Sequence, residues 1–157
     1  MIKSLNIGEL IYEQLTSNTD LSAIVGNKVY PLVANLKRDS QSNSTLSDFS
    51  QSNSTLSDLM PFIIYQRDSL SGDACKDGTY EDDVTFSIKV VTSKYLDGIS
   101  IAALVRGIFE GSSFTYNDTT TNCSFTTGCI YLTNAYEEYN DNYSAFVQTL
   151  RFNTKIS

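Results

Sequence analysis

The chain has 157 residues, with 11 Lys and Arg against 18 Asp and Glu, a formal net charge of −7 and no histidine. Without imidazole it cannot form Ser/His/Asp triads, Cys/His pairs or His-ligated metal sites. Its negative charge argues against wrapping nucleic acid or coating an anionic membrane. The length is typical of one domain with a sizeable core, so we expect a single domain over residues 1–157, without enzymatic activity and without a cofactor.

Neither a signal peptide nor a membrane span is predicted. Glu9 and Glu13 interrupt the apolar N-terminus, which also lacks a small-residue cleavage site. No apolar run approaches the length needed to cross a bilayer. We therefore expect a soluble protein made in a cytoplasm.

Two short helices and a strand are predicted in the first 34 residues. Apolar residues recur at helical spacing within residues 2–16, namely Ile7, Leu10, Ile11 and Leu15. The polar cluster at 17–20 breaks this helix and offers an N-cap for a second one, which Gly26 ends. Residues 28–34 predict a short strand, at a sheet edge because Pro31 donates no ladder hydrogen bond.

Residues 40–59 are a tandem duplication, SQSNSTLSDF followed by SQSNSTLSDL. Two copies are too few for a solenoid, and the Ser, Asn and Thr content is typical of an extended loop or a weak hairpin. The apolar residues of the repeat are candidate interaction residues: Leu46, Phe49, Leu56 and Leu59. They are too few to offset the entropy of ordering the segment, so we expect it to order on a partner. A duplicated surface loop without function is the alternative.

The next segment predicts a buried strand followed by an acidic connection. Residues 61–67, PFIIYQR, are apolar on both faces, as an interior strand covered on both sides would be. Residues 68–83 are rich in Asp and Glu, but an EF-hand starting at Asp73 would place Cys75 and Val84 at ligand positions, which disfavours calcium binding. We expect a solvated connection between two antiparallel strands.

The chain is organised around residues 84–111. Their first half alternates apolar and polar residues, as a half-buried strand does. In the second half apolar residues recur at steps of three and four, which predicts an amphipathic helix packed on that strand. Ser93 or Asp97 is the expected N-cap, and Gly111 is expected to end the helix in a left-handed conformation.

The C-terminal part is predicted to hold a long loop and a hairpin. The polar tract 112–127 is expected to be a loop containing one short strand. Residues 130–139 and 143–154 predict two strands around the turn at 140–142. The hairpin is rich in aromatic residues, namely Tyr131, Tyr136, Tyr139, Tyr143, Phe146 and Phe152. Core packing and cross-strand pairing account for most of them; an interface would need one exposed row.

The three cysteines, Cys75, Cys123 and Cys129, form no C-x-x-C motif, and an odd number cannot all pair within the chain. Cys123 and Cys129 would bridge only if the chain turned back between them. We expect reduced thiols packed as small apolar groups, and no metal site.

The order of these elements resembles the tail-completion or tail-terminator proteins of tailed bacteriophages, a head-tail joining family. The likeness covers residues 7–31, 61–67 and 84–111, including the stretches VYP, PFIIYQ and IAALVRGIFEG. It implies an α+β fold, in which an antiparallel sheet carries two main helices, a terminal hairpin and a long inserted polar loop. This chain departs from the pattern in its duplicated insertion and in the tract 112–127.

The resemblance also implies a function. Such proteins are structural parts of the virion that form a ring, commonly a homohexamer, at the head-proximal end of the tail, where they end tube growth and offer the joining surface for the head. The implied partners are further copies of the chain, the tail-tube protein and the head-tail connector or neck protein. DNA would pass through the lumen without specific binding, which a wall poor in Lys and Arg favours. Assembly would take place in the host cytoplasm.

Two other classes of function stay open. A monomeric phage or bacterial binding module without enzymatic activity would differ from the ring in oligomeric state. A small carboxylate enzyme using residues 73–83 is disfavoured, because an exposed loop cannot raise a carboxyl pKa by burial.

Overall fold

The computed structural model describes residues 3–32, 36–38, 42–44, 59–74, 76–78 and 80–157. A 3-10 turn at Lys3–Asn6 leads into the helices, which are α1 (Ile7–Ser17), α2 (Thr19–Val25) and α3 (Tyr95–Phe109). The strands are β1 (Val29–Pro31), β2 (Leu36–Arg38), β3 (Ser42–Ser44), β4 (Phe62–Ala74), β5 (Tyr80–Thr92), β6 (Thr115–Asp118), β7 (Cys123–Thr126), β8 (Tyr131–Asn140) and β9 (Ala145–Ile156). The predicted α+β class is confirmed.

The main sheet has five strands in the order β1-β4-β5-β9-β8, and β2–β3 and β6–β7 form two separate hairpins. All neighbours in the main sheet are antiparallel except β1, which runs parallel to β4 with Val29 opposite Ile63. The antiparallel sheet expected from the sequence is confirmed for β4, β5, β9 and β8, and the parallel pairing of β1 is the exception. A parallel neighbour needs a long return connection rather than a tight turn, and residues 32–61 provide it.

The N-terminal helices follow the prediction. Helix α1 buries Ile7, Leu10, Ile11 and Leu15. The side chain of Asn18 caps α2 by accepting a hydrogen bond from the Leu21 N–H at 2.9 Å, and Gly26 ends that helix at a φ of 61°. Strand β1 lies at the sheet edge, as the proline predicted.

The first part of β4, residues 62–65, is interior and covered on both faces, as the composition of residues 61–67 predicted. Ile63 and Tyr65 belong to the main core under the helices. Phe62 and Ile64, on the other face, belong to a second cluster that also contains Val147. Successive residues of this strand thus point to opposite faces of the sheet and pack in two different core clusters.

The acidic segment 68–83 is mostly strand, which corrects the expected loop. Strand β4 continues to Ala74 and β5 begins at Tyr80, so that Ala74 lies opposite Tyr80 and only a short turn separates the two strands. The register shifts between Arg67 and Ser69. Paired strands satisfy the backbone along the whole ribbon, so polar side chains are tolerated where the ribbon extends past the core.

Helix α3 begins without the predicted side-chain cap. Its N-cap residue is Lys94, with no side-chain cap hydrogen bond, so neither Ser93 nor Asp97 plays that role. The Thr92 hydroxyl instead donates to the Lys94 carbonyl at 2.8 Å and fixes the turn from strand to helix. Gly111 adopts the expected left-handed conformation, with a φ of 77°.

The tract 112–127 contains a hairpin of two strands, β6 and β7, rather than one strand in a loop. The alternation of buried and exposed residues in β7 places Cys123 and Phe125 in the main core, and Tyr116 stacks beside Phe125 with ring centroids 5.2 Å apart. Cys123 is buried and Cys129 exposed, and they form no disulfide. The terminal hairpin β8–β9 is confirmed.

Replacing either of two glycines in α3 by alanine is expected to change the free energy of unfolding in opposite directions. Alanine in a helix interior is favoured over glycine by about 1 kcal/mol. A Cβ at Gly107 would meet nothing within 4 Å, whereas one at Gly98 would lie 2.9 Å from the Thr92 Oγ1. Gly107→Ala should therefore raise the free energy of unfolding in urea by about 1 kcal/mol, and Gly98→Ala should lower it.

A double-mutant cycle tests the cause. In a Thr92→Ala background, Gly98→Ala should lose its penalty, because the atom that it meets is gone. Equal stabilisation by both glycine substitutions in the native background would show that Thr92 moves aside at no cost.

Candidate interaction surface

Leu59 is the one candidate interaction residue that the structure describes; Leu46, Phe49 and Leu56 lie outside the described residues. Leu59 is half-buried and packs on the second core cluster, which includes Met60. The ammonium group of Lys28 donates to the Leu59 carbonyl at 3.1 Å. The end of the duplicated segment is thus held on its own domain.

The sheet face turned away from the helices carries a network of polar side chains. Arg151 pairs with Asp68 at 3.3 Å, and the Ser87 hydroxyl donates to the same carboxylate. Asn153 donates to Asp83 at 2.6 Å. These carboxylates tie neighbouring strands together, and within the described residues no group of three or more Cys, Asp or Glu side chains is placed to hold a metal ion.

Strand β8 forms one edge of the main sheet, and all its residues are exposed or half-buried. An edge strand of this length presents a row of backbone N–H and C=O groups that a neighbour can pair with. The other edge is the three-residue strand β1, which ends in Pro31. The two edges are therefore unlike, one long and able to donate hydrogen bonds along its length, the other short.

A cleft of about 210 Å³ opens between the start of α3 and the β8–β9 hairpin. We call it the aromatic cleft, and its lining consists of Tyr95, Glu137, Glu138, Tyr139, Phe146 and Gln148. Phe146 contacts both tyrosine rings: its centroid is 5.7 Å from that of Tyr95, in an edge-on arrangement, and 4.8 Å from that of Tyr139. Three rings thus meet at angles around one open space.

The carboxylate of Glu137 is held in a fixed orientation inside the aromatic cleft. The Tyr95 hydroxyl donates to its Oε1 at 3.2 Å, and the Gln148 amide donates to its Oε2 at 2.8 Å. Accepting that hydrogen bond, the Glu137 carboxylate raises the pKa of Tyr95 above its ordinary value. The cleft therefore presents aromatic faces and an oriented negative charge to solvent.

Two further apolar side chains are exposed near the beginning of α3. Leu96 and Ile99, on the first turns of α3, are 72% and 41% exposed. The helix buries Gly98, Ile101, Val105 and Phe109 instead, so Leu96 and Ile99 fall outside the stripe that faces the sheet.

The sequence pattern indicates the aromatic residues of the hairpin but not the cleft that some of them line. Tyr131 and Tyr136 are exposed on one face of β8, while Tyr139 projects from the other face, opposite Phe146. No single exposed row exists on this strand. Tyr95 and Leu96 were not among the residues that the sequence indicated. One pattern could have revealed them: they are large apolar or aromatic residues at the start of the helix, outside its apolar stripe.

Within the described residues, no helix has both the length and the apolar character that crossing a bilayer requires. The fold is of the α+β class, and its main sheet ends in β1 on one side and in β8 on the other. No family model matches the chain, and no curated protein matches it.

Solved structures with a similar fold exist, and one of them matches along most of this chain. It is a chain in a structure described as the virion of a native gene transfer agent particle, with a TM-score of 0.67 and 14% sequence identity. The match covers 93% of this chain and 90% of the other. The likeness therefore extends to the complete domain architecture.

Proposed function

We propose that the protein is a structural, non-enzymatic component of a phage-like virion. The observation that carries this proposal is the whole-length similarity in fold to a chain of a gene transfer agent virion, which covers 93% of the present chain. The order of helices and strands adds support, because it resembles that of phage tail-completion proteins. Two exposed features of the described residues, the open β8 edge and the aromatic cleft, suit protein contacts.

In its finer form, the proposal is a ring at the head-proximal end of a tail. The ring ends growth of the tail tube and joins it to the connector or neck protein, with DNA passing through the lumen. The unlike sheet edges β1 and β8 favour a head-to-tail contact, in which one surface of a subunit meets a different surface of the next. Head-to-tail contacts close into rings when the rotation between subunits allows it.

The test uses particles made by the genome that encodes the chain. Antibody labelling in electron microscopy should mark the head-tail junction, and quantitative mass spectrometry should give several copies per particle, with six expected for a hexamer. Labelling elsewhere on the particle would overturn the proposed role in the tail, while the proposal of a structural virion component would stand. Absence from purified particles, with a monomer at all concentrations in solution, would support a monomeric binding module instead.

For the duplicated segment we propose contact with an adjacent subunit or the tail tube through Leu46, Phe49, Leu56 and Leu59. The repeat lies between two strands of the sheet, so it can reach past its own domain. Hydrogen exchange of residues 40–59 should slow when the free protein assembles. Unchanged exchange, together with full assembly after deletion of residues 50–59, would show a tolerated duplication. Leu59→Ser is a poor single test, because Leu59 also packs on its own domain.

A further inference from the structure

We propose that the aromatic cleft is a docking site for a Lys or Arg side chain of a partner protein other than this chain. The inference goes beyond the proposed virion role, since it concerns one surface and the chemistry of its occupant. It is carried by the arrangement of three aromatic rings and an oriented carboxylate around one open space.

The shape of the cleft fits a side chain rather than a helix or a strand. It measures about 210 Å³ and is framed by Tyr95, Tyr139 and Phe146, with ring centroids 4.8 and 5.7 Å from that of Phe146. Aromatic faces attract a cation within about 6 Å of their centroids, with a larger gain where water is excluded. The aliphatic stem of Lys or Arg would pack on the same rings.

The charge of the cleft fits a cation. Among the described residues, its lining includes Glu137 and Glu138 and no basic side chain. Glu137 is already oriented by Tyr95 and Gln148, so little side-chain entropy remains to be lost when a guanidinium or ammonium group arrives. A neutral apolar ligand would instead leave this carboxylate partly desolvated without a counter-charge.

Charge favours another protein over a second copy of this chain as the source of the Lys or Arg side chain. The chain carries a formal charge of −7, so a basic partner gains more long-range attraction than a second copy does, also where copies meet through other surfaces. Several of its own described basic side chains already have partners, including Arg106 with Glu110 and Arg151 with Asp68. A basic partner would be attracted to both the whole chain and the cleft.

The test is an NMR titration of the isotope-labelled full chain with capped tripeptides Gly-Arg-Gly and Gly-Lys-Gly, and with Gly-Leu-Gly as the neutral probe. The cationic peptides should shift the amide signals of residues 95, 137–139 and 146 in a saturable way, with millimolar affinity that falls as salt is added. Gly-Leu-Gly should give no such shifts. Equal binding of the neutral peptide would overturn the proposal in favour of an apolar groove, and absence of binding would overturn it altogether.

Matched variants distinguish binding at the aromatic cleft from general attraction to the acidic surface of the protein. Tyr139→Leu and Glu137→Gln should each lower the affinity for the cationic peptides by about threefold or more. Tyr136→Leu, on the other face of the same strand with similar exposure, and Glu13→Gln on α1 should not. Equal effects in all four variants would show diffuse charge attraction and refute the site. Shifts of the cleft amides on raising protein concentration without peptide would show that a second copy is the occupant, which would refute the choice of partner.

Discussion

Replacing Phe86 by alanine is expected to lower the free energy of unfolding by about 3 to 5 kcal/mol. Phe86 lies where β5, α3 and β9 meet, and its ring centroid is 5.5 Å from Phe109 and 5.4 Å from Phe152. All three side chains are almost completely inaccessible to solvent. The truncation removes a large apolar group and leaves a cavity that rigid neighbouring strands cannot fill.

Urea unfolding followed by circular dichroism measures this loss. A total stability in the range usual for a domain, about 5 to 15 kcal/mol, would fall by a large fraction. Phe86→Leu, which keeps most of the volume, should cost distinctly less, and Tyr80→Ala, at a 77% exposed position, should cost almost nothing. A loss below about 1 kcal/mol for Phe86→Ala would mean that the aromatic cluster is not the centre of the core.

The second large effect is an alkaline loss of stability that depends on Tyr65. Burial, with smaller contributions from Glu9 and Tyr12, raises the pKa of Tyr65 from 10.0 to about 12. The folded protein therefore holds the phenolic proton more tightly than the unfolded chain. The resulting stability is fully present below pH 10 and is lost as pH rises towards and through 12.

Tyr65→Phe isolates this contribution, because phenylalanine keeps the ring but cannot ionise. Native protein and variant should be similarly stable at neutral pH, and the variant should become more stable by about 2 kcal/mol near pH 12. Tyr80→Phe, at an exposed position, serves as the control for chemical effects of high pH. Parallel stability curves for the native protein and Tyr65→Phe would contradict the prediction.

The candidate surfaces of the protein lie at its edges rather than in a central pocket. The core is closed by α1, α2 and α3 on one face, and polar pairs such as Asp68 with Arg151 cross the other. Two open surfaces among the described residues are the β8 edge and the aromatic cleft beside it. A ring contact through the edge and a cationic partner in the cleft use different atoms, backbone in one case and side chains in the other, so the two proposals can be tested separately.

Local sequence determined the elements whose signals repeat within a few residues. The helical spacing of Ile7, Leu10, Ile11 and Leu15 and the alternation in β5 identify elements whose buried faces match those in the structure. Gly26 and Gly111 mark the chain reversals because both take a positive φ. These features follow from backbone geometry and from the need of each element to bury one face. Both causes act within a single element, so its own residues are enough to reveal them.

Other features were decided only by tertiary packing. The parallel pairing of β1 with β4 depends on the path of a long connection, and the extension of β4 and β5 through the acidic segment depends on each strand pairing with the other. The aromatic cleft depends on still more distant partners, since Tyr95 and Glu137 are 42 residues apart in the chain. Their approach requires α3 to pack on β9 and β9 to pair with β8. No local pattern encodes that register, because it is fixed by the shared burial of side chains from all three elements.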